Sequence, residues 1–376
     1  ELKAAGLYNG IPFPFKRLSN FYPIIEKGHS IGILGGTGTG KSRLSRYLGI
    51  YSIYEFYKQT GYKVRVFAFP LEDNKEKVFK SILCHWLKKE RNISVSLQEL
   101  DSKVDRALPK FVMDAIDEAE IYFKEFEEVV TVLDGYTEPK EIYKVLENYA
   151  LKTGKIEKYE VDIEGKMEIQ TIYTSDIHTV VLLDNLSNVD KGEEHGDDRR
   201  AKEDMVKEYV RNRLCNFFKF TVFVVLQLDF QSERQQFTSA GKAVMSKVEP
   251  TLAGIGDAKT VARSMHLILS LFNPSAYEFL RYPQLGEKLA EKAYDIDLLG
   301  NRFRALRILK NNDGDMGMRV GVMMDAIGET FEELPQPDSP EMKAIYNKIK
   351  DSEPGKYIKS KDTIAYEAVD FDENPF

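Results

Sequence analysis

The 376 residues carry a net charge of −7, with 43% apolar and 30% charged residues, the composition of an ordinary globular chain long enough to bury a sizeable core. No apolar run approaches the roughly 20 residues of a membrane span. Two cysteines far apart, Cys84 and Cys215, exclude a disulfide framework or a Cys-rich zinc site and are expected as buried thiols in a reducing cytoplasm. The acidic balance excludes a surface that is basic all over, but not a local basic lining for nucleic acid.

The opening "ELKAAGLYNG" has no basic and apolar leader and no initiator Met, which leaves room for residues ahead of Glu1. Residues 1–15 are expected as a linker. "SIGILGG" follows a turn and predicts a short buried strand. "KSRLSRYLGIYSIYEFYKQTG" places Leu44, Tyr47, Leu48, Tyr51, Ile53 and Tyr54 at helical spacing, closed by Gly61. "KVRVFAFPLED" predicts a second strand. From Lys75 to about Gly154 the pattern is mostly helical, with a short strand near "EEVVTVLDG". Residues 155–178 alternate around a Glu-Gly turn and predict an inserted β-hairpin. "TVVLLDN", "KFTVFVVLQLD" and "MHLILSLFN" predict three more buried strands, and "FRALRILKN…MRVGVMMD" a closing hairpin. Strands alternating with helices predict an α/β fold with a mostly parallel sheet covered on both faces. After Pro335 one short helix and an acidic end are expected outside the core, as a tail over 335–376.

Gly35-Gly36-Thr37-Gly38-Thr39-Gly40-Lys41-Ser42 fits G-x-x-x-x-G-K-[ST] between a predicted strand and a predicted helix. Glycines let the backbone wrap an anion with its N–H groups inward, and the helix start adds partial positive charge. Lys41 is expected at the β- and γ-phosphates of ATP, and Ser42 on Mg²⁺. Asp184 ends an apolar strand, where a carboxylate can hold the magnesium's water shell; a helix N-cap is the structural alternative. Glu72 ends the strand after the P-loop helix, where it could take a proton from an attacking water, with Asp73 as its competitor and a solvated loop acid as the plain alternative. Gln227 closes the next strand, where its amide can report the γ-phosphate or simply satisfy a loop.

P-loop, strand ending in Leu-Glu, Asp-ending strand and Gln-ending strand, in that order within residues 10–334, resemble the RecA-like ATPase core, with the domain itself expected over 16–334. More narrowly they resemble the motor domain of DnaB-type replicative helicases. "FAFPLEDNKEKVF", "VVLLDNLSNV", "VVLQLDFQSERQ" and "RILKNNDGDMG" carry the resemblance beyond the P-loop. It implies Glu72 as catalytic base, Lys41 and Ser42 at phosphate and metal, Asp184 on Mg²⁺ and Gln227 as coupling residue. It also implies a homo-hexameric ring on single-stranded DNA, in the cytoplasm of a bacterial or phage-infected cell. The family's hairpin sends a Lys and then, two positions on, an Arg into the neighbouring subunit's nucleotide. Lys310 matches the first, but Asn312 stands at the second, so the arginine finger is absent there; Arg319 and Arg307 are the available substitutes.

Other departures bear on function. The family's N-terminal scaffold domain is not in this sequence. Of two candidate DNA loops, residues 190–202 hold more acids than bases, whereas "DFQSERQQFTSAGKAVMSK" offers Arg234, Lys242 and Lys247 to phosphates. The end "VDFDENPF" resembles the tip of bacterial single-stranded-DNA-binding proteins, which makes Phe371, Pro375 and Phe376 candidates for docking on a replication partner or a neighbouring subunit, with a solubilising acidic tail as the plain alternative. The expected function is an ATP-dependent helicase or translocase. The alternatives are a RecA-like ATPase for packaging, recombination or loading without unwinding, and a nucleotide-binding assembly module with little turnover.

Overall fold

The continuous apolar runs become the middle of a sheet. In the computed structural model, which describes residues 10–351 apart from 106, 164–165, 194, 230–231, 235–243, 256–258 and 284–291, they line up side by side. The first strands are β1 (Gly10–Pro12), β2 (Ile24–Glu26), β3 (Ser30–Gly35), β4 (Val64–Pro70) and β5 (Val130–Val132). β6 (Lys155–Ile163) and β7 (Lys166–Thr174) follow, then β8 (His178–Asp184), β9 (Thr221–Gln227) and β10 (Leu267–Phe272). β11 (Arg281–Tyr282), β12 (Tyr294–Asp295), β13 (Phe303–Asn311), β14 (Arg319–Asp325) and β15 (Thr330–Glu333) complete the set.

Nine of them form the central sheet in the order β15-β14-β13-β10-β3-β9-β8-β4-β5. Neighbours from β10 across to β5 run parallel, and β13, β14 and β15 continue it as an antiparallel meander. β3, β8 and β10 are buried along their whole length, which is why they read as unbroken apolar runs rather than alternating ones. The two faces feed separate cores. Ile31, Ile33 and Phe223 pack with Leu44, Leu48 and Ile53 of the helix after the P-loop. Leu34, Val222 and Val224 pack with Ile142 and Leu146 on one helix and Val210 and Leu214 on another.

The P-loop helix runs from Lys41 through π turns at Tyr47–Tyr51 to Thr60, where Gly61 takes up a φ of 67° and ends it. β6 and β7 pair only with each other, as an antiparallel ribbon apart from the main sheet.

Two expected boundaries differ from what is observed. Residues 10–15, expected as linker, are core: β1 pairs with β2, and Ile11, Phe13 and Phe15 are buried against the P-loop helix cluster. Residues 335–351, expected outside the core, include the helix Pro340–Asp351, whose Met342 and Ile345 are buried with Phe272, Phe303 and Met323. Apolar spacing in a short, highly charged segment understated how much of it the antiparallel end of the sheet needs as cover. Phe371, Pro375 and Phe376 lie outside the described residues. Cys84 and Cys215 are buried free thiols.

Candidate nucleotide-binding site

The parallel register brings the carboxyl ends of four strands together. Gly35 at the end of β3 pairs with Gln227 at the end of β9, and Pro70 at the end of β4 pairs with Asp184 at the end of β8. Ligands of open α/β sheets bind at this edge. The loop from Gly36 to Gly40 rises from it. Gly40 has a φ of 99°, and a Cβ there would meet the Met324 sulfur at 2.7 Å, so only glycine fits. Thr37, Gly38, Lys41, Ser42, Glu72, Asn185 and Gln227 line a cleft of about 240 Å³. A wider groove of about 860 Å³, lined by Lys77, Lys80 and Lys103 among others, opens beside it and shares Glu72 and Asp73.

The Lys41 ammonium donates to Gly36 O at 2.7 Å. Burial pushes its pKa down, opposed by the carboxylates of Glu233, Asp184 and Glu72. Ser42 Oγ donates to Asp184 Oδ1 at 3.0 Å, so the two expected metal-binding residues touch. Burial raises the Asp184 carboxyl to about 6, with Arg46 and Ser42 working the other way and Asp73 and Glu72 adding to the rise. Among the described residues no group of three His, Cys, Asp or Glu side chains forms a cation cage. A hydroxyl beside a single carboxylate suits Mg²⁺, which keeps several waters and takes its remaining ligands from phosphate.

Glu72 and Asp73 both line this cleft but differ in their partners. Asp73 is engaged by Lys77 and lies 3.8 Å from the Arg46 guanidinium. Glu72 faces the cleft, and its Oε2 accepts from Asn185 Nδ2 at 2.9 Å. Asn185 Oδ1 in turn accepts from the Ser187 N–H at 2.8 Å and from the Ser187 hydroxyl, which lies 3.3 Å from Gln227 Oε1. A chain of hydrogen bonds thus runs from Glu72 through Asn185 to Ser187, and Gln227 lies beside its end.

Other expected residues are placed elsewhere. Lys310, expected to reach a neighbour's nucleotide, is turned onto its own chain: Nζ donates to the carbonyls of Ala262, Arg263 and Met265 at 2.5 to 3.1 Å. It lies level with Gly32, behind the P-loop rather than beside it. Arg319 and Arg307 both face Glu249, at 3.3 and 3.8 Å. Their charges answer that half-buried carboxylate and are not presented as fingers. Lys247 is exposed on the short helix Met245–Val248, Arg234 is exposed next to Glu233, and Lys242 lies outside the described residues.

Several residues that hold the site escaped sequence reasoning. Asn185 and Ser187 follow Asp184 directly, so their position was a signal. Arg46, one helical turn after Ser42, donates to both oxygens of Glu329 at 2.6 and 2.8 Å. Burial disfavours both charges, yet each keeps the other ionised: the Arg46 pKa is raised and the Glu329 pKa lowered. Arg304, 2% exposed, donates to Thr39 O at 2.7 Å and to two further carbonyls, pinning the P-loop to β13. Burial and the nearby Arg43 push its pKa down to about 10. Nothing in its local sequence announces that role.

The fold is RecA-like, and the P-loop sequence stands at the carboxyl edge of its sheet. The fold is that of DnaB-type motor domains. The ATPase domain of G40P superposes with a TM-score of 0.60 at 13% identity, covering 89% of this chain and 95% of that one. A DnaB-like replicative helicase, solved to show its interactions with primase, gives 0.59 at 13% identity, over 87% of this chain and 64% of that one. No family model matches the sequence, and no curated protein does.

Proposed function

We propose that this chain is an ATP-driven motor of the DnaB type, hydrolysing Mg-ATP at the subunit interfaces of a hexameric ring to move on single-stranded DNA. The polar chain Glu72–Asn185–Ser187–Gln227 is the observation that carries the proposal, because it links the base for water attack to the strand end from which the candidate DNA segment leaves. Lys41 binds phosphate. Ser42 and Asp184 hold Mg²⁺, which when bound neutralises charge on the transferred phosphoryl group. Glu72, oriented by Asn185, takes the proton of the attacking water. Gln227 sits where loss of the γ-phosphate would be felt and passes the change to the segment carrying Arg234, Lys242 and Lys247.

A RecA-like ATPase without strand separation is the second reading. It is favoured by Asn312 and by Lys310, Arg307 and Arg319 being engaged within their own chain. Steady-state ATP hydrolysis with and without single-stranded DNA, in the wild type and in Glu72→Gln, tests the proposal. DNA-stimulated turnover that falls on the order of 10²- to 10⁴-fold in Glu72→Gln is expected, the usual contribution of a positioned base. Stimulated turnover without duplex unwinding selects the second reading, and turnover indifferent to Glu72 removes both.

A further inference from the structure

Glu233 is no part of the machinery that sequence motifs define, yet it touches the heart of it. It follows Gln227 by six positions, on a segment that is tied down before it arrives. Leu228 pairs with Ile255, the Asp229 N–H donates to Gly254 O at 2.9 Å, and the Ser232 N–H donates to Asp229 Oδ1 at 2.6 Å. The anchored turn delivers the Glu233 carboxylate onto the P-loop. Its Oε1 accepts from the Thr37 N–H at 2.8 Å and lies 3.5 Å from Thr37 Oγ1. A Cβ on Gly36 would stand 3.2 Å from the same oxygen, so the bare glycine is what leaves room for it.

Inward-facing N–H groups of a Gly-rich loop are anion donors. One such group cannot serve a carboxylate and a phosphate together, and two anions a few ångströms apart repel. We propose that Glu233 is an internal competitor for the nucleotide: its carboxylate stands in for phosphate at Thr37, and a bound polyphosphate expels it. This rests on the cradle being a nucleotide site. Expulsion would free residues 232–234, with Arg234 at their end, from the P-loop. By linkage the coupling is reciprocal, so a polyanion such as single-stranded DNA that draws this segment away tightens nucleotide binding by the same factor. Glu233 would then set nucleotide affinity against DNA occupancy while taking no part in the chemistry.

The test is calorimetric titration of Mg-ADP and Mg-ATP into the full chain, with Glu233→Ala and the near-isosteric Glu233→Gln. Affinity about tenfold higher in Glu233→Ala, with Glu233→Gln between it and the wild type, is expected, within the usual range of coupling between sites. Limited trypsin digestion supplies a second reading. Mg-ADP should speed cleavage after Arg234 in the wild type relative to other sites, and Glu233→Ala should be cut at that faster rate without nucleotide. Equal or weaker binding by both variants, or ADP-induced protection at Arg234 in the wild type, overturns the competitor. Should the wild type and both variants all fail to bind either nucleotide, the nucleotide reading of the cradle falls, and the competitor with it.

Discussion

A single hydrogen bond from Asn185 Nδ2, 2.9 Å from Glu72 Oε2, orients Glu72, and Asn185 is itself held by Ser187. Removing that amide leaves the phosphate cradle untouched but lets the carboxylate swing. Asn185→Ala is therefore expected to lower turnover on the order of 10²-fold, the cost typical of a misplaced reacting group, while ATP affinity stays within about twofold of the wild type. Single-turnover kinetics with equilibrium binding would check it, and a parallel loss of affinity would mean that Asn185 serves the cradle instead. Glu72 and Asp73 show how little in the sequence separates two neighbouring acids with different partners. They are adjacent acids at one strand end, yet Lys77 and Arg46 claim Asp73 while Asn185 turns Glu72 to the cleft.

Elements meet at buried polar joints. Glu329, next to β15, receives two hydrogen bonds from Arg46 and one from the Tyr51 hydroxyl at 2.7 Å, tying the P-loop helix to the antiparallel end of the sheet. Glu329→Gln would leave Arg46 buried without a full counter-charge, and urea unfolding should read a loss of about 3–5 kcal/mol. His178 joins strands in a different way. The Thr221 hydroxyl donates to Glu26 O, so it accepts from His178 Nε2, 2.8 Å away, and the imidazole is held neutral. Burial, with a smaller contribution from Lys27, pushes the His178 pKa down to about 3. The unfolded chain therefore binds this proton first, so stability is lost as pH falls from about 6.5 towards 3, by up to about 1.4 kcal/mol per pH unit. His266, pushed down to about 4 chiefly by burial, acts in the same direction. Urea midpoints at pH 7, 6 and 5 should fall steadily, and less steeply in His178→Gln.

At the scale of the molecule the site is one-sided. The P-loop, Glu72, Asp184 and Gln227 all stand at the carboxyl edge of the sheet, whereas Lys310 and Asn312 stand at the opposite edge, beside the start of β10. A ring assembled as proposed would bring that far edge of one subunit to the cradle of the next. Turnover per protomer should then fall on dilution and recover on concentration, a dependence that a self-sufficient monomer would not show. Because an arginine there can supply several powers of ten, Asn312→Arg should raise the assembled rate by at least about tenfold. Sedimentation alongside ATPase assays over the same concentrations would read both, and a rate independent of concentration would argue for a complete single-chain site.

The sequence by itself determined the order of strands and helices, the P-loop with Lys41, and the residues at or just after three strand ends, Glu72, Asp184 and Gln227. Unbroken apolar runs bounded by polar ends can be buried only as inner parallel strands, and those ends are where ligands bind. Only the tertiary structure decided what orients these residues. Arg304 reaches Thr39 across 265 positions, and Glu233 reaches Thr37 across 196. Such contacts depend on which strands are neighbours and on the register between them, and no local periodicity encodes either. The same reason explains the boundaries at 10–15 and 335–351: a short segment's place in the core is set by the surface left uncovered elsewhere.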